Sequence, residues 1–180
     1  MKQVTILFLG PCRKFDPATT KPFPAFSPSS RSGKFLRNAI AATAASRNAI
    51  MRFDNVIPRA LFDKQGRERY PTCGELIEEL DRHALWKLDT CDVVIGLSSV
   101  VGEALERVQD FRRQAGDRTG PTLVRLEHPS FMMRRPAHER TDYIQRLGQC
   151  ISGAVDAAVA PKRRSVAALG ASPAPNLFPN

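Results

Sequence analysis

Thr122-Leu-Val-Arg-Leu-Glu-His128-Pro129-Ser130-Phe-Met132-Met133-Arg134-Arg135-Pro136 is the stretch on which the reading of this chain turns. Thr122 to Leu126 is an apolar run read as a buried strand, and it gives way at once to a histidine, a proline and a serine. Open α/β sheets place their ligands at the carboxyl ends of strands, so His128 falls at a chemically useful point. Pro129 stiffens the turn. Two flexible apolar side chains and two arginines come next. That order suits an enzyme acting on a base drawn out of a nucleic acid. Met132 or Met133 would fill the gap left in the stack, Arg134 and Arg135 would pair with the backbone, and Ser130 would hold a phosphate oxygen. The plain alternative is a strand-to-loop junction with a solvated basic turn.

Working outward, Val4-Thr-Ile-Leu-Phe-Leu9 is apolar on consecutive positions, as in a strand covered on both faces, and Gly10-Pro11 is expected to end it. Cys12 to Ser32 reads as a long irregular loop with Phe15, Phe23 and Phe26 spaced through it, a length that marks function or disorder. A helix is expected over Lys34 to Ser46, a strand over Ile50 to Ile57 and a charged loop over Arg59 to Tyr70. Thr72 with Glu75 three residues on is a capping box, opening a helix that runs to about Leu88. Asp92 to Leu97 is a third strand. Ser98 or Ser99 caps a helix from about Val100 to Gln114, Thr122 to Leu126 is the fourth strand, and Ala137 to about Val159 the last helix. The alternation predicts an α/β fold of three layers: a four-stranded, mainly parallel central sheet with helices on both faces. One domain is expected over residues 1–160. Residues 161–180, with Lys162-Arg163-Arg164 and then Ser, Ala and Pro, read as a flexible basic tail.

Lys and Arg number 27 against 18 Asp and Glu, a formal net charge of +9, which favours a polyanionic partner such as DNA. No uninterrupted apolar segment approaches the roughly 20 residues of a membrane span, so no membrane partner is expected. Lys2 and a strand-like run follow Met1 directly, without a secretory leader, and cytoplasm is the expected compartment. The four cysteines, Cys12, Cys73, Cys91 and Cys150, include no close pair, so neither a metal nor another cofactor is expected and the thiols should be reduced. A monomer is expected.

Four segments resemble, in order and position, the uracil-DNA glycosylase superfamily. Phe8-Leu9-Gly10-Pro11, with Lys21-Pro22-Phe23 and Ser32-Gly33-Lys34-Phe35-Leu36, is similar to its catalytic loop and the helix start behind it. Asp54-Asn55-Val56-Ile57-Pro58 is similar to its strand-ending asparagine. Arg69-Tyr70-Pro71-Thr72 with Glu75, then Asp92 to Leu97, resembles a unit of the bacterial and archaeal branch. His128-Pro129-Ser130 with Met132, Met133 and Arg134 resembles the histidine and intercalation loop.

The resemblance implies a DNA glycosylase that removes uracil or another altered pyrimidine. His128 would stabilise negative charge on the departing base, Asn55 would read the base edge, Phe23 would stack on it, and the backbone at Gly10 and Pro11 would line the pocket. Ser98 would join Ser130, Met132, Met133, Arg134 and Arg135 in contacting DNA. Each role has a bland competitor: Phe23 as a core aromatic, Asn55 as a residue tied to backbone.

The chain also departs from the pattern. The family's acid in the catalytic loop has Pro11, Cys12 and Arg13 in its place, and the nearest substitute is Asp16. Asp54 is a second candidate, but strand alternation turns it away from the Asn55 face. Pro58 and Arg59 stand where the related branch has a cluster cysteine, so its iron–sulfur cluster is not expected. The long loop from Pro24 to Ser32 borders the expected pocket and favours a larger or modified base; a hypermodified pyrimidine would connect the chain with defence against phage DNA. Two other readings remain: a protein that binds DNA or a base on this fold without cutting, and an α/β enzyme of free nucleotides or nucleosides.

Overall fold

The continuous apolar run of Val4 to Leu9 becomes the middle of a sheet because each of its two faces meets helices. In the computed structural model, which describes residues 3–16, 19, 21–117 and 119–159, β1 spans Val4–Cys12. Val4, Ile6 and Phe8 face one hydrophobic layer, while Leu7 and Leu9 face the other. The expected stop at Gly10-Pro11 does not occur. β1 continues to Cys12 alongside a single neighbour, with Gly10 beside Asn55 and Cys12 beside Ile57. Its pairing on the other side has already ended, at Leu9 opposite Gly96, so Pro11's missing N–H leaves no ladder bond unmade.

Two short hairpins replace the irregular loops expected from the sequence. β2 (Phe15–Asp16) pairs antiparallel with β3 (Lys21–Pro22), ahead of α1 (Arg31–Ala41). The helix starts three residues before the expected Lys34, since Ser30 Oγ accepts the Gly33 N–H at 3.1 Å as its N-cap. It also ends early, in a 3-10 turn over Ala44–Asn48 that leads into β4 (Ala49–Ile57). β5 (Leu61–Phe62) and β6 (Glu68–Arg69) form the second hairpin. Its turn closes where Asp63 Oδ1 accepts the N–H groups of Gln65 and Arg67, each at 2.9 Å, with Gly66 at a φ of +75°.

The capping box is present as expected. Glu75 donates its N–H to Thr72 Oγ1 at 3.3 Å and takes the Thr72 N–H at 2.8 Å. Arg69 adds a two-armed grip on the same carboxylate, at 2.9 and 2.6 Å, tying β6 to the helix start. That guanidinium first, and the Thr72 N–H second, hold the Glu75 carboxyl down at about 2. The helix is not continuous: α2 (Cys73–Glu79) passes through a π turn at Leu80–Ala84 into α3 (Leu85–Asp89). β7 (Val93–Leu97), α4 (Ser99–Gln114), β8 (Thr122–Leu126), the single-turn α5 (Pro129–Met132) and α6 (Ala137–Val159) complete the described chain.

The central sheet has the order β4-β1-β7-β8 and every pair in it is parallel. α1 and α6 cover one face through Leu36, Ile40, Tyr143, Leu147 and Ile151. Leu76, Leu80, Leu88, Val101 and Leu105, from α2 to α4, cover the other. No described helix is long and apolar enough to cross a membrane. The expected tail, 161–180, lies outside the described residues.

Candidate active site

His128 follows β8 directly and serves as the N-cap of α5. Its Nδ1 accepts the Ser130 N–H at 3.2 Å, and the Ser130 hydroxyl lies 2.7 Å from the same nitrogen. A nitrogen that accepts an amide proton carries none of its own, so the hydroxyl donates as well and the ring proton belongs on Nε2. Burial, reinforced by the Lys14 cation, pushes the imidazole down to about 4. At neutral pH the ring is therefore an uncharged donor with a fixed tautomer. Pro129 is the buried first residue of the turn, where its missing N–H costs nothing.

Across the carboxyl edge of the sheet, Asn55 on β4 lies beside Gly10 on β1. The residue is 6% exposed. Its backbone N–H bonds Asp54 Oδ1 at 2.8 Å, yet among the described residues its side-chain amide has no hydrogen-bond partner. Asn55 and His128 line one cavity of about 240 Å³, together with Pro11, Phe23, Ser130 and Phe26. This is smaller than the usual pocket for a drug-sized ligand and of the scale of one nucleobase.

Phe26 is a cavity residue that the sequence reading did not single out. It is buried, lies 5.9 Å from the His128 ring, and holds a φ of +47°, uncommon for a bulky residue. Arg37 Nε bonds its carbonyl at 3.0 Å, and any side chain on Gly33 would run into that carbonyl. The Gly33 of the sequence motif thus lets α1 pack directly on the turn that presents Phe26. Only its place in a Pro-Phe-Pro-Ala-Phe run hinted at this.

Gly10 is a second enforced glycine. A methyl there would overlap Asn55 Oδ1 and approach the Phe26 ring to 2.8 Å. Gly10→Ala should therefore cost about 1–3 kcal/mol of stability and shift both residues. Thermal melting and a ligand- or base-dependent assay of the purified variant check this; an unchanged protein in both would mean that the cavity tolerates the methyl.

The remaining expected residues divide. Ser98 caps α4, accepting the Val101 N–H at 3.3 Å, and lines an open groove of about 480 Å³ together with Arg125, His128 and Phe131. Arg134 and Arg135 are exposed, Arg135 lying over the Phe131 ring at 4.4 Å. Met132 is corrected: it is 3% exposed and packed in the core, so it fills no gap in a base stack. A one-turn helix anchored by Pro129 must bury the residue three positions on. Phe131, 41% exposed, takes the outward position, with Met133 partly buried behind it. Ser130's hydroxyl proton is committed to His128 rather than to a phosphate.

Asp16 is also placed away from the cavity. It accepts the Thr19 hydroxyl at 2.8 Å in the β2–β3 hairpin and is not part of the lining. Asp54 follows strand alternation to the opposite side, where Lys87 Nζ meets it at 2.5 Å. Among the described residues the cavity wall holds two cations, Arg13 and Lys14, and no carboxylate. Cys12 lines it too, as a thiol whose pKa is raised, chiefly by burial. All four cysteines are free, and no three His, Cys, Asp or Glu side chains among the described residues gather as a metal site.

What the fold and cavity define is an α/β protein with a small, amide- and imidazole-lined cavity at the carboxyl ends of a parallel sheet. No protein-family model matches the sequence, and no curated protein does. The chain is similar in fold to the crystal structure of wild-type SMUG2 from Pedobacter heparinus, with a TM-score of 0.54 and 16% identity over 84% of this chain and 76% of that one. The likeness is one of fold.

Proposed function

We propose that this protein is a DNA glycosylase that takes a flipped pyrimidine nucleotide and hydrolyses its N-glycosidic bond. The observation that carries the reading is the Asn55 side chain, without a hydrogen-bond partner among the described residues and lining a cavity shared with His128. Its amide offers a donor and an acceptor to the cavity, and a planar donor–acceptor edge such as that of uracil would satisfy both. As the C1′–N1 bond breaks, its electron pair passes to the base, and the His128 Nε2–H donates to the developing oxyanion at O2. Water then adds to C1′ and loses a proton, leaving an abasic site. The exposed Phe131, not Met132, is the side chain suited to occupy the vacated stack, with Arg134 and Arg135 beside it for phosphates. Ser98 and Arg125 extend the same surface.

One observation favours a second reading, a DNA- or base-binding protein without cleavage: among the described residues the cavity wall lacks a carboxylate to steady a sugar cation or position the water. A substrate panel separates the two. Purified protein is incubated with oligonucleotides bearing uracil, mismatched thymine and modified cytosines, and with modified phage genomic DNA. Alkali-labile sites on one substrate establish the enzyme and identify its base. Tight binding with no such site on any of them establishes the binder.

A further inference from the structure

Among the described residues, Lys14 is the one lysine in the lining of the base-sized cavity. Its side chain is 54% exposed, which puts the amine at the mouth, with Nζ 4.9 Å from the centroid of the Tyr70 ring in the same lining. Glu68 holds it there. One carboxylate oxygen lies 3.3 Å from Nζ, and the other accepts the Phe15 N–H at 2.5 Å, which fixes the carboxylate to the β2–β3 hairpin. A base seated in the cavity leaves its sugar at the mouth, because the glycosidic bond joins the two. O2 and C1′ hang from neighbouring ring atoms of a pyrimidine, so a base whose O2 meets His128 carries C1′ close by. Burial lowers the His128 pKa first and the Lys14 cation adds to it, so the two side chains are within electrostatic reach.

We propose that Lys14 gives this protein a second activity: it cuts the DNA strand at an abasic site through an imine with the sugar aldehyde, with Glu68 as general base. The inference rests on the cavity being a base pocket. A lysine amine in its neutral form adds to carbonyl carbon, which the guanidinium of the neighbouring Arg13 does not do. The Nζ lone pair attacks C1′ of the ring-opened abasic sugar, and the aldehyde oxygen departs as water, leaving a protonated imine. Glu68 then takes a proton from C2′. The C2′–H electron pair forms a double bond to C3′, and the C3′–O bond breaks with its pair passing to the departing phosphate. Water hydrolyses the imine, which frees Lys14 and leaves a strand ending in an unsaturated aldehyde. In the imine Nζ is bonded to C1′ and C2′ is the next atom, so a carboxylate 3.3 Å from Nζ stands at the distance the proton transfer needs.

The test gives the full chain an oligonucleotide whose abasic site is made beforehand, with sodium borohydride present to reduce the imine to a stable amine link. A covalent complex should form, with the link mapped to Lys14 by peptide mass spectrometry; without borohydride the strand should be cut. Lys14→Arg keeps the cation but forms no imine, so trapping and cutting should both fall by about 10²-fold or more. Glu68→Gln should still trap but cut at least about tenfold more slowly. Lys64→Ala, an exposed position in the turn of the β5–β6 hairpin, should trap and cut as the parent does. No complex, a complex undiminished in Lys14→Arg, a link mapped to another amine, or an equal loss in Lys64→Ala overturns the proposal. Undiminished cutting by Glu68→Gln overturns the role of the carboxylate. The preformed site needs no base excision. Trapping at Lys14 by a protein that excises nothing would sink the glycosylase and leave the strand cleavage; excision without trapping would sink the strand cleavage alone.

Discussion

Replacing His128 with alanine is expected to slow single-turnover base excision by about 10²–10³-fold, the usual cost of removing one preorganised donor from a developing oxyanion. Binding of the same oligonucleotide should survive, because the groove and the exposed arginines do not depend on the ring. The pH profile discriminates further. With its pKa near 4, His128 stays neutral across the physiological range, so the rate should be flat from about pH 8 to below 6 and fall only as the pH approaches 4. A cationic acid with an ordinary histidine pKa of about 6.5 would instead lose rate as the pH rises through neutrality. A His128→Ala protein that excises at the normal rate would refute the assignment.

The same shift has a stability signature of definite sign. The unfolded chain binds a proton at His128 below about 6.5, whereas the folded chain resists it until about 4. Stability is therefore fully present above about pH 6.5 and lost as the pH falls towards 4, at up to ~1.4 kcal/mol per pH unit from this one group. Urea midpoints of the parent and His128→Ala across that window should converge at low pH. The Ser130 pair of donors reinforces the effect, since both would lose their acceptor if Nδ1 were protonated.

The parts of this structure legible in the sequence are those with a repeating physical cause. The consecutive apolar run of β1 marked a strand buried on both faces, whereas Thr122 to Leu126, read as buried, is a sheet-edge strand with Thr122 and Arg125 exposed. Thr72 with Glu75 marked a helix start that the structure makes in full. The joining of His128 and Asn55 in one cavity followed from both lying at strand carboxyl ends. What was not legible depended on single geometric events. Two-residue strands have no periodicity, so the β2–β3 and β5–β6 hairpins read as loops, and with them went the position of Asp16. Pro11 argued for a strand end, and only the early stop of β7 made it harmless. Met132 and Phe131 are equally apolar in sequence; the one-turn helix after Pro129 decides which is buried. Phe26 is presented by a left-handed turn that Arg37 and Gly33 create from outside the segment.

Asn55 carries the second large effect, and it separates recognition from bond cleavage. Asn55 lines the cavity and its amide has no partner among the described residues, so its hydrogen-bonding capacity is available to a ligand. A site built around such a group rejects bases that do not match it, because mismatched donors and acceptors are left buried and unpaired. Asn55→Ala should therefore lower kcat/KM for the preferred pyrimidine by about 10²-fold or more and compress its advantage over cytosine towards unity. The flat pH profile set by His128 should persist in the residual activity. Asn55→Asp is the sharper probe. A carboxylate only accepts, so the variant should lose the base edge that needs a donor and gain relative preference for one that presents an amino group. Nearby Arg13 and Lys14 favour the ionised form in that cavity. If both variants melt as the parent does and keep its rate and its base preference, the amide is packing material and the base-reading role falls. If preference shifts with identity at this one position, the β4 end is the element that reads the base and the β8 end the one that drives it out.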